Sequence, residues 1–329
     1  MRYLDIKIPG SGNICKDVFR VSKIVLGTDH FGTTVSEEDA FRLMDIFQDA
    51  GGNCIDTARV YGSWIPGGDG ASESTVGKWM KSRKNRNSVI LSTKGGHPDL
   101  DNMSKGRLSK KEIESDLDES LKVLGTDYID IYWLHRDDMS RPVDDIMETL
   151  HAFISKGKIR AIGCSNWKAG RIEEANRAAA VDGTDAFCAS QIQWSLAATT
   201  PELLGDPTLV CMDGSEYAWY LDNSFPVFAY SSQAKGFFSK AAVMGAESLS
   251  GKASARFALP ENFERLDRVT EYANRSGLTP TAVALAYITC NEVPAVAIVG
   301  CKKEEHLLDT LSAADVEISA ADADWLYKG

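Results

Sequence analysis

Apolar runs of four to eight residues, rich in β-branched side chains, recur along this chain, and most are followed by a polar loop and then a stretch with helical apolar spacing. The pattern predicts eight strands, at residues 23–28, 53–56, 88–94, 128–135, 159–164, 188–191, 227–230 and 296–300. Helices are predicted at 36–50, 72–81, 109–124, 143–155, 169–179, 261–276, 280–289 and 303–313. The first opens on a cap-like Ser36 followed by Glu37, Glu38 and Asp39, which favour the positive end of a helix dipole.

Strands alternating with helices imply a parallel sheet, either open and doubly wound or closed into a barrel. An open dinucleotide-binding sheet normally carries GxGxxG after its first strand, whereas this chain reads LGTDHFG there, which favours the (β/α)₈ barrel. Residues 3–8 and 18–21 read as an N-terminal β-hairpin around PGSGN that plugs the barrel floor. Two long segments, 197–224 and 231–260, read as irregular loops of the C-terminal face, one facing substrate and the other covering cofactor. No composition break divides the chain, so 1–329 is read as a single domain.

Composition narrows the partners. Thirty-six basic against 47 acidic residues give a net charge of −11, which disfavours nucleic acid. Seven scattered cysteines without CxxC spacing read as reduced thiols. Neither a signal-like start nor eighteen consecutive apolar residues is found, so the expectation is a cytoplasmic protein with no membrane partner. Oligomeric state is not readable from the chain.

In a (β/α)₈ barrel, side chains at the C-terminal strand ends converge on one mouth. Asp56 ends NCID, Tyr61 follows in the next loop, Lys94 ends VILSTK and His135 ends YIDIYWLH. Lys94 beside the Tyr61 hydroxyl would lower its pKa from about 10, Asp56 would keep Lys94 charged and oriented, and His135 would donate to a substrate oxygen. Such a centre protonates a carbonyl without a metal.

The segments IDTARVYG, LSTKGG, IDIYWLH, IGCSN and FAYSSQAKGFFS, in this order, resemble the signatures of the aldo-keto reductase superfamily over nearly the whole chain. The resemblance implies a (β/α)₈ barrel and places the catalytic set on Asp56, Tyr61, Lys94 and His135. It further implies that Ser165, Asn166 and Gln191 hold a nicotinamide carboxamide, that Tyr230 stacks on the ring, and that Thr28 and Asp56 border its ribose. Ser231, Gln233 and Gly236 would line the pyrophosphate, although Ser232 stands where many relatives have proline. In AIVGCKKEEHLLDT, the positions Gly300, Lys302, His306, Asp309 and Thr310 match the adenosine side, the last being commonly asparagine. Lys302 and Lys303 suit a ribose 2′-phosphate, which favours NADPH over NADH. The expected reaction is hydride transfer between NADPH and an aldehyde or ketone. A sugar is a candidate because 197–224 carries Asp206, Asp213, Glu216 and Asp222, charges that solvent exposure explains equally well. The alternative is a nucleotide-binding regulatory or sensor subunit with little turnover.

Other chemistry is weaker in the sequence. His30, His97 and His306 suggest metal binding, but neither HxH nor HExxH occurs, and no metal is assigned. The run Lys81, Arg83, Lys84 and Arg86 reads as a solvated turn at the barrel bottom. Trp64 and Trp219 fall in mouth-side segments as candidate substrate contacts, whereas Trp133 and Trp194 read as packing residues.

Overall fold

In the computed structural model, which describes residues 1–10 and 15–329, an antiparallel hairpin of β1 (Tyr3–Pro9) and β2 (Cys15–Ser22) precedes the barrel. The eight barrel strands are β3 (Ile24–Gly27), β4 (Cys54–Asp56), β5 (Ile90–Gly95), β6 (Ile129–Leu134), β7 (Ile159–Ser165), β8 (Ser190–Gln193), β9 (Val227–Tyr230) and β10 (Ala295–Val299). They pair in parallel in chain order and close through β10 on β3. All eight expected strands are present, with ends shifted by at most two residues. The turn expected within PGSGN falls in part on residues 11–14, outside the described residues.

The hairpin is the floor of the barrel. Alternation points Ile6, Ile8, Phe19 and Val21 to one face, where they form one buried cluster with the barrel residues Val25, Cys54, Ile131, Trp133, Phe228 and Val296. Burying four large apolar side chains against the barrel interior contributes about 1.5–3 kcal/mol each. This end is therefore sealed, and chemistry is left to the opposite mouth.

The helices on the outside are α1 (Glu37–Asp49), α2 (Ala71–Arg83), α3 (Lys110–Leu124), α4 (Val143–Ser155) and α5 (Ala169–Asp182). Short helices follow at α6 (Pro201–Leu204), α7 (Gly214–Asp222), α8 (Phe237–Met244) and α9 (Gly251–Phe257). The chain ends through α10 (Pro260–Ser276), α11 (Pro280–Thr289), α12 (Glu304–Leu311) and α13 (Ala320–Lys328). Local chemistry sets many boundaries. Ser36 accepts from the Asp39 amide, Ser109 and Glu112 form a capping box, and Gly125 ends α3 at φ 65°. At α2, Gly77 lets α3 approach so closely that an added Cβ would lie 2.6 Å from the Leu124 carbonyl oxygen.

Three expectations change. The segments 197–224 and 231–260 are not irregular: they contain α6 to α9, begun by signals such as Thr200 before Pro201 and Asp213, whose carboxylate accepts from the Ser215 and Glu216 amides. Helix α13 was not anticipated, although Ser319 caps it through the Asp322 amide and Arg265 and Arg268 donate to its last carbonyls. The basic run is only partly solvated, because Arg83 pairs with Asp45 and Arg86 reaches the buried Asp130 at 2.8 Å while covering the Tyr128 ring. No helix among the described residues is long and apolar enough to cross a membrane.

Candidate active site

Asp56 is the last residue of β4, Lys94 lies near the end of β5 and His135 directly follows β6, so parallel pairing puts all three at one mouth. Tyr61 reaches them from a loop whose tight turns are set by backbone bonds from Tyr61 to Ala58 and from Arg59 to Lys94. The Lys94 Nζ is the hub: it donates to Asp56 Oδ2 at 2.5 Å, to the Thr57 carbonyl at 2.8 Å and to the Tyr61 hydroxyl at 3.0 Å. Its three protons thus have three acceptors, as an ammonium buried to 1% exposure requires. Asp56 Oδ1 in turn accepts from Ser92 Oγ at 2.7 Å and Gln191 Nε2 at 3.1 Å. The His135 ring meets the Tyr61 ring edge-on, with centroids 5.9 Å apart.

The electrostatics correct one expectation. Burial, then the Asp56 carboxylate and more distant Asp29, push the Tyr61 phenol well above its ordinary value of 10, against a smaller downward pull from Arg136. The net shift is opposite to the expected lowering, because desolvation and the Asp56 charge outweigh the favourable ammonium of Lys94. Burial also draws Lys94 itself below its usual value, with Asp56 opposing. His135 is held well below 6.5 by burial, then by His97, Arg136 and Lys94, so it is a neutral imidazole. Its Nδ1 is buried without a partner.

Beside this centre, Ser165 Oγ donates to the Gln191 carbonyl at 2.8 Å, and Asn166, at φ 58°, receives the Tyr230 hydroxyl at 2.7 Å and the Val210 amide at 3.1 Å on its Oδ1. Thr28 is buried, its hydroxyl bonded to the Asp56 carbonyl and to Ser72. Ser231 lies at φ 51° and Gly236 at φ 80°, and Ser232 donates to the Ile298 carbonyl at 2.6 Å, fastening the loop where proline was the alternative. Gln233 donates to Thr310 at 2.8 Å, joining that loop to α12. Gly300, Lys302 and His306 are exposed around the start of α12, whereas Asp309 turns away to accept from Thr281 at 2.6 Å.

Of the two tryptophans, Trp64 stands edge-on to Tyr61 with centroids 6.0 Å apart. Trp219 is not brought to the mouth: it lies on α7, packed on Tyr220 and Phe225, which precedes β9 and so sits at the opposite end. Three of the four acidic residues singled out in 197–224 are occupied within the fold, Asp206 by Arg136 and Thr208, Asp213 by its helix, and Glu216 by the Ala169 amide at the start of α5, while Asp222 is exposed to solvent. Sequence reasoning passed over Arg136, buried and donating to the His135 carbonyl at 2.8 Å, although a charge directly after a buried strand was a signal. It also missed Ser92, Thr57 and Ser72, whose hydroxyls and carbonyl support the centre.

A closed eight-stranded parallel barrel with a buried carboxylate, ammonium and imidazole and a half-buried phenol at its mouth defines a carbonyl-reducing class of barrel protein. The model of the aldo/keto reductase family matches residues 23–327, and the chain belongs to that family. It is 30% identical to norsolorinic acid reductase stcV of Emericella nidulans, with 91% of this chain and 76% of that protein covered. It is 31% identical to the uncharacterized oxidoreductase YrpG of Bacillus subtilis, covering 91% and 89%. Identity to the putative aryl-alcohol dehydrogenase AAD14 of Saccharomyces cerevisiae is 27%, covering 93% and 82%.

Proposed function

We propose that this chain, acting as a single barrel domain, is an NADPH-dependent reductase of aldehydes or ketones in which Tyr61 is the general acid. The observation that carries this reading is the Lys94 hub, which ties the Tyr61 hydroxyl to Asp56 through one ammonium at 3.0 and 2.5 Å. Tyr61 remains a phenol throughout the neutral range and so holds a proton to give. As the proton leaves, the phenolate forms beside Lys94, whose ammonium also lies 4.5 Å from the ring centroid. That stabilisation is exerted where charge develops, which is what accelerates a step. His135 places a neutral ring beside Tyr61. With Nδ1 buried and unpartnered, the tautomer protonated on Nε2 leaves an orphan acceptor rather than a costlier orphan donor, and it can donate to the carbonyl oxygen.

The residues around the mouth suit a nicotinamide dinucleotide, which supplies the hydride when bound. Asn166 and Gln191 bring amide groups and Tyr230 an aromatic face. Helices α8 and α12 both begin without a side-chain cap, leaving free amides at their N-termini for phosphate. Lys235, Lys252, Lys302 and Arg256 gather near Asp29 and His30. This local cationic group within a chain of net charge −11 supports a cofactor with an additional phosphate, hence NADPH over NADH. The aryl alcohol in the name of one relative makes aryl carbonyls worth testing beside aliphatic ones.

The test is loss of NADPH absorbance with a panel of aliphatic, hydroxylated and aryl carbonyls, comparing wild type with Tyr61→Phe. The expected outcome is a fall in kcat of about 10²–10⁴ in the variant with cofactor binding retained. Equal turnover in both proteins would remove Tyr61 from the chemistry, and no turnover in either would remove the reductase reading.

A further inference from the structure

His97 is left unused by the chemistry above, yet its ring meets the His135 ring edge-on with centroids only 4.7 Å apart. Its environment fixes which nitrogen carries the proton. Nδ1 lies 2.6 Å from the Pro98 carbonyl, and a carbonyl can only accept, so Nδ1 is the protonated nitrogen. Burial, followed by the Arg136 charge, pushes the ring down to about 4, so it is neutral near pH 7 and Nε2 keeps its lone pair. Nε2 has no protein partner among the described residues and is not a sealed-off atom.

The turn carrying His97 is built rather than loose. The Gly96 amide donates to Asp116 at 2.8 Å, and Arg107 holds the His97 carbonyl at 2.8 Å while pairing with Asp116 at 3.3 Å. Gly96 sits at φ 72°, where an added Cβ would come within 2.4 Å of the buried Leu108 side chain, so glycine is strongly favoured on this path. His97 lines a cavity of about 260 Å³ together with Arg59, Ser63, Asp69, Lys94 and Arg107, and Tyr61 and His135 lie just outside its wall. A pre-positioned acceptor in polar surroundings is set for a donor on a ligand, and a flat aryl group offers none.

We propose that His97 Nε2 accepts a hydrogen bond from a substrate hydroxyl adjacent to the reacting carbonyl, making the enzyme selective for 2-hydroxy aldehydes and ketones. With their ring centroids 4.7 Å apart, the two imidazoles are close enough for His135 to hold the carbonyl oxygen and His97 the hydroxyl on the neighbouring carbon. The inference rests on the reading of Tyr61 and His135 as the carbonyl-binding pair.

The experiment compares 2-hydroxypropanal with propanal, which differ only in that hydroxyl, as substrates of wild type, His97→Ala and His97→Gln. NADPH binding, followed by its fluorescence, verifies that each variant is folded. Wild type is expected to favour 2-hydroxypropanal in kcat/KM, and His97→Ala to lose about tenfold on it while changing less than about twofold on propanal. Gln, whose amide oxygen falls near the Nε2 position, is expected to restore part of the preference. Equal losses on both aldehydes would reduce His97 to packing, and an unchanged ratio would deny it a role in selectivity. If wild type reduces neither aldehyde nor any other carbonyl, the reductase reading itself fails; if it reduces both without preference, only the role of His97 fails.

Discussion

A single ammonium organises this mouth because lysine offers three donors at a point, and the surrounding chain supplies one acceptor for each. The same burial that demands full satisfaction of Lys94 keeps Tyr61 protonated and the two imidazoles neutral. That neutrality has a consequence for stability. His97 titrates near 4 in the folded chain against 6.5 in a free side chain, so between these values the unfolded chain binds more protons. Its contribution is fully present above 6.5 and is lost as pH falls toward 4. At pH 5 the loss is about 2 kcal/mol for His97 alone, and His135 acts in the same direction. Urea unfolding at pH 7.5 and pH 5 is therefore expected to show a smaller pH penalty for His97→Gln than for wild type. An identical penalty in both would mean that the ring is protonated without cost.

At the scale of elements, most of the fold was legible because its signals are local. Strands β3 to β10 announce themselves as apolar runs, and α1 and α3 carry their caps in adjacent residues. Helices α6 to α9 were not legible, since segments of four to nine residues hold too few apolar repeats to show a period, and their stability comes from tertiary packing. Gly77 illustrates the conflict between local and tertiary preference. Helix propensity alone makes Gly77→Ala favourable by about 1 kcal/mol. The added methyl would instead meet the Leu124 carbonyl, a backbone atom that cannot swing aside, and strain of this kind costs about 1–3 kcal/mol. The variant is expected to melt below wild type; a higher melting temperature would show that α2 and α3 separate freely.

Across the whole molecule, closing β10 on β3 brings the loop after β9 and the start of α12 beside the centre built by β4 to β6. Saturating NADPH should therefore raise the melting temperature, by about 2.7 kcal/mol of stability at one hundred times its Kd. NADH at equal concentration should do less, and Lys302→Ala should narrow the difference. Equal shifts from both nucleotides in wild type would remove the preference for the extra phosphate. The sequence by itself determined the eight barrel strands, most of their helices, the hairpin and the three polar residues Asp56, Lys94 and His135 at strand ends, because periodicity and strand-end position are properties of neighbours along the chain. Tertiary structure alone decided which way the Tyr61 pKa moves, which nitrogen of His97 stays free, and that Asp309 faces Thr281 instead of the mouth. Each depends on desolvation or on partners distant in sequence, as with Gln191 and Asp56, 135 residues apart, and no local pattern encodes those.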